Sequence, residues 1–179
     1  ILIIIGGFMG AVLSNQSIYD LVCNIPPLIN SYLSLDDQLQ PNGFDLTLNN
    51  IQTIAAGGTM GANPADRVIP NSELLSFDDS DWLKLPEGAF LITFNEVVAL
   101  PMNLMAIGRP RSSLLRSGVT IHTAVWDAGY TGRSQALLVV NNPYGYHVQK
   151  NARLMQLVFI NLDQPTAQGY QGKYQWENL

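Results

Sequence analysis

Apolar and polar positions alternate over several short stretches, and this two-residue period predicts β-strands. The clearest example runs from Phe44 to Leu48, where apolar residues alternate with polar ones. Four more predicted strands, rich in Val, Ile, Leu and Phe, are residues 90–95, 119–126, 135–141 and 154–161. Turn-forming pairs such as Asn142-Pro143 separate them. Short strands between frequent turns predict a mainly β fold, a sandwich or barrel of jelly-roll type.

A helical period occurs in only two places. The first predicted helix spans Ser14 to Cys23, with Ile18 and Val22 on one face and Ser14 or Asn15 as its cap. The second begins near Pro110, and Gly118 occupies the position after its end. These helices complete a prediction of a β domain over residues 1–162 with a few short helices.

The chain opens with an apolar run over residues 1–13, which includes three glycines and no polar side chain. A membrane span needs about twenty apolar residues, so we expect a buried strand or an oligomer contact and no membrane association. Cys23 is the only cysteine, which excludes a disulfide framework and a cysteine-rich zinc site. A reducing, cytoplasmic location is the resulting expectation.

Charge is distributed unevenly along the chain. Residues 1–100 carry two basic and eleven acidic side chains, a net charge of −9, whereas residues 101–179 carry seven basic and three acidic ones, a net charge of +4. An acidic protein with a basic half does not favour general nucleic-acid binding, which uses a broad cationic surface. A compact anion such as a phosphate chain suits this pattern better, although an ordinary solvated surface explains it too.

The start of the second predicted helix is the best candidate for an anion site. Arg111, Ser112 and Ser113 would lie where backbone N–H groups are free and the helix dipole is positive. The planar guanidinium of Arg111 also matches phosphate oxygens. On these residues alone, a capped helix with surface arginines is an equally good interpretation.

Several metal and nucleophile chemistries lack the residues that they require. His122 and His147 are the only histidines, and neither belongs to a zinc-deaminase motif. No Gly-x-Ser-x-Gly segment is present to form a nucleophile elbow. Zinc-dependent deamination and hydrolase-type acyl transfer are therefore poorly supported.

Four short segments carry a resemblance to the trimeric dUTPases. Residues 127–132, Asp-Ala-Gly-Tyr-Thr-Gly, closely resemble the third motif of that family, at the end of a predicted hairpin that starts at Val119. Residues 111–113 resemble the second motif, residues 43–46 the first and residues 153–157 the fourth. Their order matches the family, and the resemblance implies a distorted jelly-roll β-barrel.

The flanking sequence is more similar to the dCTP deaminase branch of the same superfamily. Residues 13–18, residues 38–46 and the tail residues 170–175 carry this second resemblance. The tail also departs from the Gly-Phe-Gly-rich fifth motif of ordinary dUTPases. The resemblance therefore covers nearly the whole chain after Gly10 and leaves two activities to separate.

Leu137 is the residue that distinguishes the two activities, dUTP hydrolysis and dCTP deamination. Deaminases of this branch have a glutamate five residues after the glycine that closes the third motif, here Gly132, and Leu137 occupies that position. Removing an amine requires a group that takes and passes on a proton, which leucine cannot do. The hypothesis is a dUTPase on a deaminase-like scaffold, with a dCTP deaminase, a bifunctional enzyme or a non-catalytic nucleotide-binding protein as alternatives.

The resemblance implies hydrolysis of dUTP to dUMP and pyrophosphate, with Asp127 activating a water for attack on the α-phosphorus. Mg²⁺ would gather the phosphate charges, and Asp45 would touch its hydration shell through water. Tyr130 would pack against the sugar, and backbone groups of residues 121–125 would bind uracil. The phosphate-binding residues implied are Arg111, Ser112, Ser113 and Gln156, with Arg116 in support.

The tail, residues 163–179, is predicted to be a mobile arm that closes over the nucleotide. Tyr170, Lys173, Tyr174 and Gln175 are its candidate contacts, and ordinary terminal disorder is the alternative. The resemblance further implies a homotrimer with active sites shared between chains. The predicted small-molecule partners are dUTP and dUMP, with no nucleic acid polymer.

Overall fold

The structure is a computed structural model that describes residues 11–179. It has a mainly β architecture, as the alternating pattern predicts. The helices are α1 (Asn15–Val22), α2 (Leu35–Gln38) and α3 (Ser112–Arg116), with a 3₁₀ turn at Pro64–Asp66. The strands are β1 (Ile29–Asn30), β2 (Leu39–Gln40), β3 (Gly43–Ile54), β4 (Ser72–Leu74), β5 (Trp82–Leu85), β6 (Gly88–Phe94), β7 (Val97–Ala99), β8 (Leu104–Pro110), β9 (Val119–His122), β10 (Thr131–Gly132), β11 (Gln135–Val140), β12 (Tyr146–Gln149) and β13 (Arg153–Asn161).

One large antiparallel sheet organises the domain, in the order β8-β13-β3-β6-β11-β9. The long strand β3 is central because its first half pairs with β13 and its second half with β6. Strands β2 and β4 also pair with β3. Two small sheets flank this one, β1-β7-β10 and β12-β5.

The large sheet curls until its two end strands approach each other, giving a nearly closed barrel. Helix α3 joins β8 to β9, and beyond β9 the backbone of Trp126 pairs with that of Ala106 in β8. A β-carbon built on Gly108 would lie 3.1 Å from Thr123 Cγ2, so the two segments also touch. The jelly-roll barrel expected from the resemblance is confirmed.

The core follows from the alternation in β3. Phe44, Leu46 and Leu48 are fully buried inside the barrel. Asp45 and Thr47 point to the other face, where they are also buried, because α2 and Glu96 cover this part of the sheet. Strand β3 therefore has buried apolar side chains on one face and buried polar side chains on the other, and Asp45 on the polar face belongs to the candidate site described below.

Most predicted elements are present, with two corrections. Helix α1 matches the predicted segment, and the Ser14 hydroxyl accepts its capping hydrogen bond from the Ser17 backbone amide. The strand predicted over residues 119–126 ends at His122, because the chain then leaves β11 to reach β8. Pro110 ends β8 rather than beginning α3, for which Arg111 is the N-cap.

The apolar N-terminal run falls mostly outside the described residues. Of that run, residues 11–13 lie beside the end of β13, where Leu13 N donates to Phe159 O. No helix within residues 11–179 is long and apolar enough to cross a bilayer.

Candidate functional site

Three residues from separate elements form an ion-paired group that we call the arginine cluster: Asp45, Arg111 and Arg153. Asp45 Oδ2 lies 3.2 Å from Arg111 Nε and 3.5 Å from Arg153 Nη1. The carboxylate side chain is only 2% exposed, whereas the two arginine side chains are 36% and 34% exposed. The cluster therefore presents guanidinium groups to solvent above a buried counter-ion.

Burial governs the titration of Asp45. Desolvation raises the pKa of its carboxyl group, and the positive charges of Arg111 and Arg153 oppose that rise. Because two cations contact one carboxylate, the cluster retains positive charge for an incoming anion. This geometry fits the predicted phosphate-binding role of Arg111, and it adds Arg153, which the sequence prediction placed only in a motif.

Gln156 lies in the same region. It stands opposite Asp45 in β3 and opposite Arg109 in β8. Its side chain crosses directly over Gly43, where a β-carbon would lie 2.5 Å from Gln156 Nε2 and 2.7 Å from the backbone oxygen of Leu157. Gly43 is therefore required for this close approach.

The short helix α3 presents the remaining predicted phosphate contacts. Ser112 and Ser113 begin it and are exposed, directly after Arg111. Arg116 is exposed in its last turn, and within residues 11–179 no ion pair involves it. Gly118 has a φ of +73°, which confirms its predicted position after the helix end.

A second group surrounds a pocket of about 490 Å³, which we call the turn pocket. Its walls come from the segment after β9, from the sheet and from the tail. The lining residues are Ile69, Leu91, Ala124, Val125, Trp126, Asp127, Tyr130, Ser134, Gln135, Tyr170, Tyr174 and Glu177. An apolar, aromatic-lined cavity with two carboxylates is the usual form of a small-molecule site.

The turn over residues 127–130 is tightly held. Tyr130 N donates to Asp127 O, Gly129 N donates to Leu100 O and Leu100 N donates to Tyr130 O. Gly129 has a φ of +81°, a conformation that favours glycine. This fixed backbone leaves the Asp127 side chain exposed at the pocket.

Tyr130 is buried between the turn and the tail. It is only 5% exposed, and its hydroxyl donates to Glu177 Oε1 at 2.9 Å. Burial and the neighbouring Glu177 charge strongly raise the pKa of the Tyr130 phenol, so it stays protonated and acts as a donor. Burial likewise raises the pKa of Glu177. Glu177 was not predicted, since it lies beyond residues 170–175, the part of the tail that carries the resemblance.

The predicted tail residues lie against this turn. Tyr170 packs edge-on against Tyr130, with ring centroids 5.8 Å apart, and both Tyr170 and Tyr174 line the turn pocket. Lys173 is exposed, with its ammonium 5.9 Å from the Tyr174 ring centroid. The side-chain amide of Gln175 forms two hydrogen bonds with the turn. Its Oε1 accepts from Thr131 N and its Nε2 donates to Gly129 O, each at 2.9 Å.

The arginine cluster and the turn pocket lie far apart in one chain. Trp126 pairs with Ala106 in β8, and Arg111 follows Ala106 by five residues. At the rise of an extended strand, Ala106 and Arg111 are about 17 Å apart along β8, so the backbones of Trp126 and Arg111 are separated by about that length. The backbone segments that carry the predicted general base and the predicted phosphate ligand Arg111 therefore stand apart within the described chain.

Leu137 occupies the position at which the deaminase branch has glutamate. It lies in β11, opposite His122 in β9 and Leu91 in β6, and it is half-buried. No proton acceptor exists on this side chain.

The described residues fit a metal ion that arrives bound to the substrate better than a metal ion that the protein holds by itself. Within residues 11–179, no group of three or more His, Cys, Asp or Glu side chains could hold a metal ion. Asp45, the predicted water-mediated metal contact, is buried with Oδ2 beside two arginines. Mg²⁺ on a polyphosphate needs only one or two protein carboxylates, so the water-mediated contact stays a prediction.

Comparison with known proteins identifies similar sequences in archaea. The chain is 47% identical over 168 residues to a probable deoxyuridine 5′-triphosphate nucleotidohydrolase of Methanosarcina mazei, covering 94% of this chain and 98% of the relative. A protein of the same description from Archaeoglobus fulgidus is 46% identical over 169 residues, with the same coverage of both chains.

Among solved structures, the 2′-deoxycytidine 5′-triphosphate deaminase of Agrobacterium tumefaciens superposes with a TM-score of 0.65 at 25% identity. The match covers 85% of this chain and 48% of the deaminase, so the chain spans about half the length of that protein. The model of the dCTP deaminase-like family matches residues 12–162, which include the arginine cluster and most of the turn pocket. The chain therefore belongs to the dCTP deaminase-like family.

Proposed function

We propose that this protein is a dUTP diphosphatase, which hydrolyses dUTP to dUMP and pyrophosphate. The observation that carries the proposal is the exposed carboxylate of Asp127 on the wall of the turn pocket, beside the buried ring of Tyr130. The archaeal relatives named as nucleotidohydrolases of deoxyuridine triphosphate support the same substrate.

In the proposed reaction, the nucleoside occupies the turn pocket, with its sugar against Tyr130. Asp127 accepts a proton from a water molecule, whose oxygen attacks the α-phosphorus while the bond from that phosphorus to the bridging oxygen breaks. Pyrophosphate leaves with the bridging oxygen, and dUMP keeps the new oxygen. A general base must lie within hydrogen-bond reach of its water, and an exposed carboxylate at the pocket meets that requirement.

The arginine cluster is the proposed binding site for the phosphates that leave. Its two half-buried arginine side chains suit phosphate oxygens, and Gln156, Ser112 and Ser113 lie around it. Arg111 lies about 17 Å along β8 from Ala106, which pairs with Trp126, so one chain would have to span that length to present both groups to a single triphosphate. We infer that a second copy supplies the arginine cluster, which supports a homotrimer with shared sites.

The substrate is proposed to be dUTP carrying Mg²⁺. The described residues offer no cluster of metal ligands, whereas a triphosphate chelates Mg²⁺ through its own oxygens. The ion would partly neutralise the phosphate charge, and Arg111 and Arg153 would complement the remainder. A cytoplasmic location, expected from the cysteine usage, stays a prediction.

Deamination of dCTP is the main alternative, since the family match and the Agrobacterium tumefaciens structure both carry that name. Leu137 argues against it, because this position has no proton acceptor to remove the amine. A non-catalytic nucleotide-binding protein is the second alternative. Asp127 argues against that, since its exposed carboxylate at the turn pocket provides the proposed general base.

The test is a product analysis with purified protein, dUTP or dCTP, and Mg²⁺. We expect dUMP and pyrophosphate from dUTP, with dCTP leaving the reaction unchanged. Formation of dUTP or dUMP from dCTP would show deaminase activity, and the absence of any product from either nucleotide would leave only the binding alternative.

A further inference from the structure

Within residues 11–179, three buried side-chain polar atoms have no hydrogen-bond partner: Asp45 Oδ2, Trp126 Nε1 and Ser134 Oγ. All three belong to the arginine cluster or to the turn pocket. Asp45 Oδ2 is ion-paired with the two arginines of its cluster, whereas Trp126 and Ser134 both line the turn pocket. A buried polar atom without a partner is costly, and native structures seldom keep one without a role. The two unpartnered atoms of the turn pocket are therefore candidates for ligand contacts.

The backbone holds Trp126 and Ser134 in place without satisfying their side chains. Trp126 and Ala106 exchange two backbone hydrogen bonds, of 2.9 and 3.0 Å, and Ser134 O accepts from Phe94 N at 3.2 Å. Both residues are buried, so neither side chain obtains its missing hydrogen bond from bulk water. The turn pocket is the place from which a partner can come.

The side chains on the pocket wall indicate which part of a nucleotide reaches these atoms. Asp127 and Glu177 both line the pocket, and carboxylates repel phosphate oxygens when no cation lies between them. Ile69 and Leu91 add apolar surface. The pocket therefore suits the uncharged nucleoside better than the phosphates, and the nucleoside offers base carbonyls and a sugar hydroxyl as hydrogen-bond partners.

Among the residues that line the turn pocket, Trp126 has the one side chain whose polar atom can only donate. Carboxylates accept, and the tyrosines, Ser134 and Gln135 can do both. An indole N–H binds a carbonyl oxygen but opposes an amino group, because two facing donors leave both unpaired. Uracil and cytosine share the 2-carbonyl and differ at the 4-position, where uracil has a carbonyl and cytosine an amine. A fixed donor at the 4-position therefore selects uracil.

Ser134 lies at the Tyr130 end of the pocket. Burial raises the pKa of the Tyr130 phenol, and the nearby Ser134 hydroxyl opposes that rise, although no hydrogen bond joins the two hydroxyls. In the proposed reaction the Tyr130 ring contacts the sugar, so a hydroxyl beside this ring faces the 3′-hydroxyl of the deoxyribose. A serine hydroxyl both donates and accepts, which suits another hydroxyl group.

From these two unpartnered atoms we infer that Trp126 and Ser134 determine which nucleoside the turn pocket binds. The Trp126 indole N–H donates to the 4-carbonyl oxygen of uracil, and the Ser134 hydroxyl forms a hydrogen bond with the 3′-hydroxyl of the deoxyribose. The inference deepens the proposed function and rests on it, since it takes the turn pocket as the nucleoside site. Both contacts form on binding, before any bond breaks.

Calorimetry with non-hydrolysable analogues of dUTP and dCTP tests the first contact. Trp126→Phe keeps an aromatic ring but removes the donor, so the Kd of the dUTP analogue should rise on the order of tenfold and that of the dCTP analogue should change less than about threefold. Trp82→Phe is the control, because Trp82 is exposed in β5 and does not line the turn pocket, and it should change neither Kd. An equal rise for both analogues, or no rise for either, would overturn the assignment.

Ser134→Ala tests the second contact with two readouts that should move differently. Because alanine removes a buried hydroxyl that has no partner, the melting temperature of the free protein should stay the same or rise, whereas the Kd of both analogues should rise about three- to tenfold. This rise should disappear with 3′-deoxy forms of the analogues, which lack the sugar hydroxyl. Ser80→Ala, at an exposed serine in the loop before β5, is the control and should change neither quantity.

A lower melting temperature of Ser134→Ala with unchanged Kd values would overturn the second contact and identify Ser134 as a structural residue. A rise in Kd that persists with the 3′-deoxy analogues would overturn it as well. These experiments measure binding without turnover. A protein that binds as expected but leaves dUTP intact would therefore refute the proposed function while supporting this inference.

Discussion

Asp127 is the residue on which the proposed chemistry depends. Its side chain is exposed at the turn pocket, while its backbone oxygen accepts from Tyr130 N in a turn that Gly129 and Tyr130 hold to Leu100. The backbone that carries the carboxylate is therefore fixed before a ligand binds, which lowers the cost of organising the site.

Asp127→Asn should lower kcat by roughly 10²–10⁴, the usual contribution of a positioned general base, because the amide cannot accept the proton. The Kd of a non-hydrolysable dUTP analogue should change less than about threefold, since size and polarity are kept. Steady-state kinetics and calorimetry measure the two quantities. Asp79→Asn, an exposed acid in the loop before β5, is the matched control; equal kcat values for the parent and Asp127→Asn would contradict the assignment.

At the scale of single elements, the pairing of β3 with β13 holds the arginine cluster together. It sets Gln156 opposite Asp45 and brings Arg153 to the start of the same strand. The register is irregular between Arg153 and Met155, and at this end of β13 Arg153 Nη1 lies 3.5 Å from Asp45 Oδ2. A change that disturbs this pairing should therefore affect stability and phosphate binding together.

Gly43→Ala tests that pairing. The added β-carbon would lie 2.7 Å from a backbone oxygen of β13, which cannot move cheaply, so we expect a loss of about 1–3 kcal/mol in the free energy of unfolding. Gly57→Ala is the control, since nothing lies within 4 Å of its added β-carbon, and it should change stability by less than about 0.5 kcal/mol. Urea denaturation compares them, and similar midpoints for the two variants would contradict this packing.

The elements also show what the sequence could reveal and what it could not. Alternation located β6, β11 and β13 within two residues at each end, because one face of each is buried in a single core. For β3 it located the start but only residues 44–48, whereas the strand continues to Ile54. The two-residue strands β1, β2 and β10 are too short to show a period, so only tertiary pairing defines them. The early end of β9 has the same cause, since its continuation pairs with β8.

The candidate site likewise contains residues that the sequence could reveal and contacts that it could not. Motif resemblance placed Asp127, Arg111 and Gln156 at the two groups, because motifs record local chemistry. It could not reveal that Glu177 contacts Tyr130 or that Arg153 shares Asp45 with Arg111, because these contacts join residues more than 40 positions apart. The separation of the two groups along β8 is likewise a property of the fold alone.

At the scale of the whole molecule, the titration of buried acids should make the free energy of unfolding depend on pH. Burial raises the pKa of Asp45, Glu96 and Glu177 above their ordinary values of 3.8 for Asp and 4.5 for Glu. Glu96 is fully buried and accepts hydrogen bonds from Gln38 and from Thr47. Each group therefore holds its proton to a higher pH in the folded state than in the unfolded chain.

Because the folded state binds more protons in that window, the free energy of unfolding should fall as pH rises from the ordinary values through the raised ones. Glu96→Gln cannot titrate at this position and should flatten the dependence. Urea denaturation at a series of pH values from 4 to 7 measures it. A parent protein whose stability rises steadily across this window, with the same slope in Glu96→Gln, would contradict the burial of this carboxyl group.

The absence of a metal cluster among the described residues predicts a specific response to chelation. EDTA should abolish dUTP turnover, because the substrate loses its Mg²⁺, and added Mg²⁺ should restore it. The melting temperature of the protein without nucleotide should not change by more than about 1 °C, because no ion is lost from the fold. Differential scanning calorimetry measures this, and a large fall with EDTA would instead show a resident structural metal.

Hydrolysis in ¹⁸O-labelled water tests the central claim most directly, since it reports both the substrate and the bond that breaks. With dUTP and Mg²⁺, the proposed attack by Asp127-activated water on the α-phosphorus predicts one ¹⁸O atom in dUMP and none in pyrophosphate, while dCTP stays intact. Mass spectrometry of the two products reads out the label. Label in pyrophosphate, or deaminated product from dCTP, would contradict the account.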